Sequence, residues 1–436
     1  MQNRRLRRGP ALPAALLIAL ASIAAACGST TPTPTAGPTL SPSAGSTATV
    51  VPTKSAGPTA NSSADLATYA QVQLQVEQMR QLTAKKPVSP TLLDEQGVRD
   101  WMTRATQDVD HQALAAQSRL LIHLGLLPAG ASLEQLELDL NAGQAIGFYD
   151  PDTGGLYLLS EGGGVGLEQK LTFSHEFTHA LQDQNFGLNK LAIDTPDQSD
   201  RDLAHTALPE GDATLAMTQW AYANMSLLDL LAVSLSSSSA AQTEQLNNAP
   251  AILRQDLMFP YEQGLAFVEG IYAKGGWAAV DRLYEKPPSS TSQILHPELY
   301  AAGVAPVVVT LPAVPATLGS GWKLTMQDTM GELQLRVWLE GEHPTAAQHS
   351  EAASAVSTWA GDRIGLYEGP NGAWAVVLRT SWRSAPGQAD FRSAATTRLA
   401  GLTGLAIACG DADNVGVYVA SGVAALEAFA PCRPPL

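Results

Sequence analysis

Two histidines four residues apart, His175 and His179, bracket Glu176, Phe177 and Thr178. On an α-helix, residues four apart lie one above the other on the same face. Both imidazoles can then close on one zinc ion, and the glutamate beside the first can reach a water on that ion as general base. Zinc brings the pKa of such a water down to about 7, which makes hydroxide accessible at neutral pH. The plain alternative is two histidines that pack an ordinary helix, with the pattern arising by chance.

The neighbouring residues predict the element that positions this chemistry. Gly162-Gly163-Gly164-Val165-Gly166 breaks any preceding helix, and Gly187 sits where a C-terminal cap belongs. Between them Phe173, Phe177, Ala180 and Leu181 recur at helical spacing, which makes the segment amphipathic. His175 and His179 lie on a neighbouring stripe that also carries Asp183. Zinc-bound imidazoles usually pass their second N–H to a carboxylate or a carbonyl. Asp183 or Gln182 is the expected partner, and either reads equally as a solvated helix-end residue. A catalytic zinc site also needs a third protein ligand, with one position left open for water.

This His-Glu-x-x-His pattern resembles the zincin superfamily of zinc metallopeptidases. Gln182 and Asn185 stand where the metzincin branch places glycine and histidine, so that branch is excluded. The gluzincin branch takes a glutamate from a following helix, and the resemblance implies Glu210 in Leu208-Pro209-Glu210-Gly211-Asp212-Ala213. Pro209 suits the first turn of a helix, from which Glu210, Ala213, Met217 and Trp220 share one inward face. A carboxylate on an apolar face is costly unless paired or bound to metal. Alternatively Glu210 merely sits in a first turn favoured by the helix dipole, and His205, Asp200, Asp202 and Asp212 are the other ligand candidates.

Further fragments extend the resemblance over residues 64–300. Gly147-Phe148-Tyr149-Asp150-Pro151, Gly275-Gly276-Trp277 and Ser290-Thr291-Ser292-Gln293-Ile294-Leu295-His296-Pro297-Glu298 look like a group of gluzincin-type bacterial lipoproteins of undefined substrate. Two departures from the thermolysin pattern stand out. Residues 180–209 form a longer connection than that family uses, and Thr214 stands where it has an aspartate behind the metal. The resemblance implies an oxyanion donor downstream, His296 or Tyr300, although a histidine before proline reads equally as a satisfied loop residue. It also implies an edge strand that holds a peptide by main-chain hydrogen bonds, with Leu156-Tyr157-Leu158-Leu159 as the candidate.

The N-terminal residues predict an export route. Arg4, Arg5, Arg7 and Arg8 precede an apolar run over 11–26 that is too short for a confident spanning helix. It ends in Ala24-Ala25-Ala26-Cys27, similar to a bacterial lipobox with alanine in place of the usual leucine. Lipid-modified Cys27 is the expectation, with simple cleavage or an uncleaved anchor as alternatives. Residues 28–63 are mostly Ser, Thr, Pro, Ala and Gly with one charge, Lys54, and read as a flexible tether. Cys409 and Cys432 remain as a pair. In an oxidising compartment a disulfide between them would stabilise by about 3 kcal/mol; two buried thiols are the alternative.

Without the four leader arginines the formal charge falls from −15 to −19, which excludes nucleic acid or anionic lipid as partners bound through the protein's field. With 45% hydrophobic residues, the chain beyond the tether suffices for a large core or two domains. The expected class is α+β. A signal peptide over 1–27 and the tether over 28–63 lead into a mostly helical zincin-like catalytic domain over 64–300 with a small antiparallel sheet edge. A smaller α+β region over 301–436 follows. Helices are predicted over 66–82, over 94–126 with one interruption, and over 167–284 apart from a Ser/Ala/Gln/Asn-rich break at 236–250. Strands are predicted over 145–149 and 156–160, joined by a turn. Beyond residue 300 the pattern gives strands at 307–311, 374–380 and 415–419 and helices at 346–359 and 389–399, with no repeats and no metal spacing.

Together these features predict a membrane-tethered, extracytoplasmic peptidase with one Zn²⁺ and a peptide or protein substrate. Two readings from other classes stand beside it. One is a zinc-containing envelope lipoprotein that binds a ligand without hydrolysis. The other is a structural envelope protein whose histidines bind nothing.

Overall fold

The computed structural model describes residues 62–432, apart from 107–108, 145, 160–163, 194, 237–239, 403 and 411–413. The leader, Cys27 and nearly all of the tether lie outside the described residues. The first described helix, α1 (Ser63–Arg80), starts at a capping box between Ser62 and Asp65 and ends at Gln81 in the left-handed region. Then come β1 (Pro90–Leu93), α2 (Glu95–Ala105), α3 (His111–His123) and α4 (Leu133–Gln144). Asp94 and Asp110 cap α2 and α3, which accounts for the single interruption expected over 94–126. A hairpin, β2 (Gly147–Asp150) and β3 (Gly155–Leu159), leads to the two helices that matter most, α5 (Leu167–Phe186) and α6 (Ser199–Asn224).

The first sheet is mixed, and this corrects the expected edge. Its order is β1-β3-β2, with β3 parallel to β1 and antiparallel to β2. Leu156-Tyr157-Leu158-Leu159 therefore forms the central strand, paired on both sides, and β1 and β2 are the edges. The four residues of β1 are too few to show an alternating pattern. Pro90 occupies the first position of an edge strand, where its missing N–H costs least.

Helices continue through α7 (Leu227–Ser236), α8 (Ala240–Asn248) and α9 (Ala251–Phe259), a π-helical turn (Pro260–Gly264), α10 (Leu265–Asp281), α11 (Thr291–Leu295) and α12 (Pro297–Ala301). Helix α8 falls inside the segment expected to be a break; Gln245, Asn247 and Asn248 are tolerated in a helix that leaves them exposed or half-exposed. The chain then builds β4 (Lys323–Asp328), α13 (Gly331–Glu340), α14 (Ala346–Val356), β5 (Trp359–Glu368), β6 (Trp374–Trp382), α15 (Ala385–Leu399), β7 (Leu405–Gly410), β8 (Asn414–Ala420) and α16 (Val423–Phe429). These five strands form an antiparallel sheet of order β4-β5-β6-β8-β7. Residues 307–311 do not join it as a strand. They cross it in extended form, with the Val307 N–H donating to the Ala360 carbonyl at 2.8 Å, and Pro306 and Pro312 on either side lack the donors a ladder needs.

The largest core runs across both regions. Ala116, Leu120 and Leu124 of the α3 region and Ile252 of α9 pack with Leu335 and Trp338 of α13, Ile364 and Leu366 of β5, and Val376 and Leu378 of β6. Arg119 grips Glu368 through two hydrogen bonds of 2.7 and 3.2 Å, and the His123 ring stacks on Trp374 at 3.5 Å between centroids. A second cluster holds the helix pair: Phe173, Phe177 and Leu181 of α5 pack with Tyr69, Val72 and Val76 of α1 and with Met217 and Trp220 of α6.

The backbone crossing between α6 and the π turn is the tightest contact near the helix pair. A Cβ on Gly211 would run into the backbone of Gly264, and one on Gly264 into the carbonyl of Ala207. Gly211→Ala should therefore lower unfolding free energy by about 1–3 kcal/mol, because backbone would have to move. Gly270→Ala on α10, where a Cβ meets nothing, should raise it by about 0.5–1 kcal/mol. Denaturant titrations compare the two, and a silent Gly211→Ala would contradict the crossing.

Burial lowers the His123 pKa from 6.5 to about 4, against the opposing pull of Glu368. The unfolded chain therefore takes up a proton below about pH 6.5 that the folded ring refuses until about pH 4. Stability should fall across that interval as pH drops, and His123→Phe should flatten the dependence when unfolding midpoints are followed from pH 7 to 4.

Candidate metal centre

Helix α5 is buried without interruption from Leu171 to Gln182, so its polar groups must find partners inside the protein. Thr178 Oγ1 donates to the Ser174 carbonyl and Ser174 Oγ to the Leu171 carbonyl, at 2.8 and 2.7 Å. The imidazoles turn the other way, toward α6. His175 Nε2 lies 3.0 Å from His179 Nε2 and 3.1 Å from Glu210 Oε2, and the third side of the triangle, His179 Nε2 to Glu210 Oε2, is 3.4 Å. His175, His179 and Glu210 thus form a buried group able to hold a metal ion.

The protonation pattern around the group fits a metal. Gln182 Nε2 donates to the Pro209 carbonyl at 3.0 Å, which turns its amide oxygen toward His179 Nδ1 at 2.9 Å. His179 must then carry its proton on Nδ1 and present the Nε2 lone pair to the triangle. Zinc bonds of about 2.0–2.1 Å would set tetrahedral ligand atoms roughly 3.3 Å apart, close to the three observed spacings. Two nitrogens and one carboxylate oxygen leave the fourth position open. The electrostatics agree. Burial opposes ionisation of Glu210, yet His179 and His175 hold its pKa at about 2. Burial also opposes charge on His179, yet Glu210, Glu176 and Gln182 lift it to about 9. Positive charge is thus favoured at His179 beside Glu210, as a proton that a metal would displace from Nε2, whereas burial lowers the His175 pKa and keeps that ring a neutral donor of its lone pair.

Glu176 is buried beside the group without belonging to it. Burial raises its pKa to about 8, His179 pulls down, Glu210 pushes up, and a hydrogen bond from the Tyr149 backbone lowers it. That backbone bond ties the carboxylate to β2, the edge strand next to α5.

The other residues singled out in the sequence lie elsewhere. Asp183 does not touch an imidazole. It accepts from the Tyr149 hydroxyl at 2.9 Å and from Leu188 N at 3.0 Å, closing the end of α5, and the bond to His179 comes from Gln182 instead. His205 Nδ1 faces the Leu191 carbonyl, Asp200 accepts from Thr291, and Asp202 accepts from Thr195 N at 2.6 Å. Asp212 takes Arg80 in a two-pronged pair of 2.6 and 2.9 Å, and the Tyr284 hydroxyl at 2.7 Å. His296 Nε2 lies 2.7 Å from Glu332 Oε1 and its Nδ1 3.8 Å from Glu298, while the Tyr300 hydroxyl donates to the Lys286 carbonyl. Pro209 is not at a helix start: α6 begins ten residues earlier and runs through it. Cys409 and Cys432 are joined in a disulfide, with Cα atoms 5.9 Å apart.

One residue at the centre escaped the sequence reading. Tyr261, fully buried in the π turn, hydrogen-bonds to the Glu210 carboxylate, and its ring lies 6.2 Å from that of His175. Burial, then Glu210 and Glu176, raise its pKa well above 10, so it stays a neutral O–H donor. A proline and a glycine inside a helical pattern, Pro260 and Gly264, were the available signal for such a turn, which often marks functional positions.

A family model described as a domain of unknown function, DUF8575, matches residues 322–429, the stretch from β4 to α16. No curated protein and no solved structure matches the chain.

If Gln182 sets the His179 tautomer, Gln182→Leu should weaken zinc binding by roughly 10- to 100-fold. Asp183→Asn should leave it within a factor of about three, since Asp183 makes no contact with either imidazole. Competition against a zinc-chelating dye measures both, and equal losses would refute the assignment.

Proposed function

We propose that the chain is an extracytoplasmic zinc-dependent peptidase, tethered to a membrane through residues 1–27. The observation that carries this reading is a second buried carboxylate, Glu176, beside a complete two-histidine, one-glutamate ligand set. A structural zinc site needs no such neighbour, whereas hydrolysis needs a base that is not a ligand. The gluzincin resemblance of the sequence supports the same arrangement.

A zinc ion held by His175, His179 and Glu210 would supply Lewis acidity at the scissile carbonyl and an acidified water. Glu176 takes the proton from the attacking water and returns it to the leaving amine, a task suited to a carboxyl whose pKa stands at about 8. Tyr261 keeps its proton and donates a hydrogen bond to Glu210, which steadies that carboxylate beside the two imidazoles. His296, the oxyanion donor expected from the resemblance, has its ring engaged by Glu332. Strand β2, tied to Glu176 through Tyr149, takes the substrate-holding place first expected of residues 156–159. The Cys409–Cys432 disulfide fits an oxidising compartment, and no helix among the described residues is long and apolar enough to cross a membrane.

The burial of His175, Glu176 and His179 favours one other reading, a zinc-holding envelope protein that binds a ligand without hydrolysing it. Zinc content and cleavage of a mixed peptide pool, measured together, separate the two. Wild-type protein should bind one zinc and cleave. Glu176→Gln should keep the metal and lose roughly two to four orders of magnitude in rate. Undiminished cleavage by that variant would refute Glu176 as base, and zinc without any cleavage by the wild type would favour the binding module.

A further inference from the structure

Helix α7 turns its leucines the wrong way for a soluble surface. Leu227, Leu228, Leu231 and Leu235 are 73, 76, 50 and 87% exposed, and their spacing places them within one stripe of the helix. The inward face is supplied by Leu230 and Val233, which pack with Val165 and Leu167 at the start of α5. Tyr222, at the end of α6, adds a further exposed ring, 56% accessible. Singly exposed leucines are ordinary, but a row of four on one short helix is an interaction surface.

The composition of the helix narrows what it can meet. Residues 225–248 contain no lysine or arginine, and the rest of the polar face is largely serine. A nucleic acid or an anionic headgroup is not attracted by such a surface. An apolar phase whose contact needs no counter-charge is, as with interfacial helices that bind through buried leucines.

The place where the chain enters the fold supplies the rest. Gly164, just before α5, rests against the carboxylate of Asp65 in the first turn of α1. The start of α1 and the leucine helix α7 are thus both fastened to the N-terminal end of α5. Residues 28–61 lie immediately upstream, and a chain of that length and composition has a root-mean-square reach of roughly 30 Å. Beyond it lies the apolar run over 11–26. Either a lipid on Cys27 or that run retained in the bilayer would hold the α7 end within that reach of the membrane, where even a weak apolar contact becomes effectively intramolecular.

We infer that the leucine face of α7 lies on the membrane surface that the N-terminal segment enters, so that the tethered body is docked in one orientation rather than swinging freely. The contact is apolar, made by Leu227, Leu228, Leu231 and Leu235, and owes nothing to attraction by anionic lipid.

Full-length protein reconstituted in phosphatidylcholine vesicles tests this. An environment-sensitive probe is attached at Ala232→Cys, beside the stripe, or at Glu351→Cys on α14 as a reference, and quenching by lipids brominated along their acyl chains is recorded. Docking gives strong quenching at 232 and little at 351, not strengthened by added phosphatidylglycerol and not lost in high salt. Leu228→Ser with Leu235→Ser should reduce quenching at 232 roughly tenfold without moving the unfolding midpoint, because both side chains are exposed. Absence of quenching at 232, equal quenching at both positions, or loss of quenching in high salt each overturns the inference. So does failure of the chain to float with vesicles. Concentration-dependent self-quenching in solution would instead make the stripe a contact between copies of this chain, and would overturn it too.

Discussion

Three electron-pair donors facing one another at 3.0 to 3.4 Å inside a protein define the constraint under which the helical half is built. Without positive charge between them such atoms repel one another and lose hydration, so the buried group needs a metal ion or a proton shared between His179 and Glu210. Its cost is offset by everything packed around it. An α5 that is apolar on one face alone would expose part of the site; instead α5 is enclosed on all sides from Leu171 to Gln182, and Ser174 and Thr178 bond within the helix. The enclosure opposes charge on every member of the group, so the pull toward positive charge at His179 comes from Glu210 and Glu176, and burial holds Glu176 protonated up to about pH 8.

Holding Glu210 at the right height on α6 is a separate problem, and the chain meets it from three sides. Gln182 reaches across from α5 to the Pro209 carbonyl, one residue before Glu210. Arg80 at the end of α1 clamps Asp212, two residues after it, reaches Asp281 at 2.7 Å and lies over Trp277 at 4.4 Å. Burying an arginine with two carboxylates and a tyrosine hydroxyl contributes little net stability, but removing either partner of the Arg80–Asp212 pair would leave a charge stranded. From the third side the Gly211–Gly264 crossing brings the π turn close enough for Tyr261 to bond to Glu210. The residues before, at and after Glu210 are therefore each tied to a different element.

Local spacing made part of this legible and long-range contact hid the rest. His175, Glu176 and His179 were readable because one helix places all three, and Glu210 because a carboxylate recurring with Ala213, Met217 and Trp220 has to be explained. Cys409 and Cys432 were readable as a pair by count. Pro209 misled: a proline costs about 3 kcal/mol inside a helix, so it reads as a start, yet the packing of α6 on α5, α1 and the π turn carries the helix through it. Asp183 and Gln182 could not be told apart by sequence, since the choice depends on a Pro209 carbonyl 27 residues from Gln182. Tyr261 had no local mark beyond Pro260 and Gly264. Strand β5 was invisible because Gly361, Gly365, Asp362 and Arg363 spoil its apolar alternation, and its glycines are there for other chains of contact: Gly361 leaves room for the Val307 carbonyl that crosses it.

The C-terminal α+β region is bound to the centre through the first residues of α6. Ser199 donates from its N–H and its hydroxyl to Asp328 at the end of β4, at 3.0 and 2.6 Å, and Asp200 N–H donates to the Thr329 carbonyl. The free N–H groups that open the Glu210 helix are thus satisfied by the sheet region, and Gln198 itself makes no side-chain cap. Asp362 secures the same joint from β5 by accepting from Met330 N, Gly331 N and the Trp359 ring nitrogen. Because α3 and α9 also complete the core of that sheet, residues 322–429 do not enclose their own interior. The boundary of the matched family marks a unit of sequence, whereas the unit of packing includes helices from both sides of it. A sheet that caps the ligand helix and shares its core with the helical half fixes the axial position of α6, and through it the place of Glu210 opposite the two histidines.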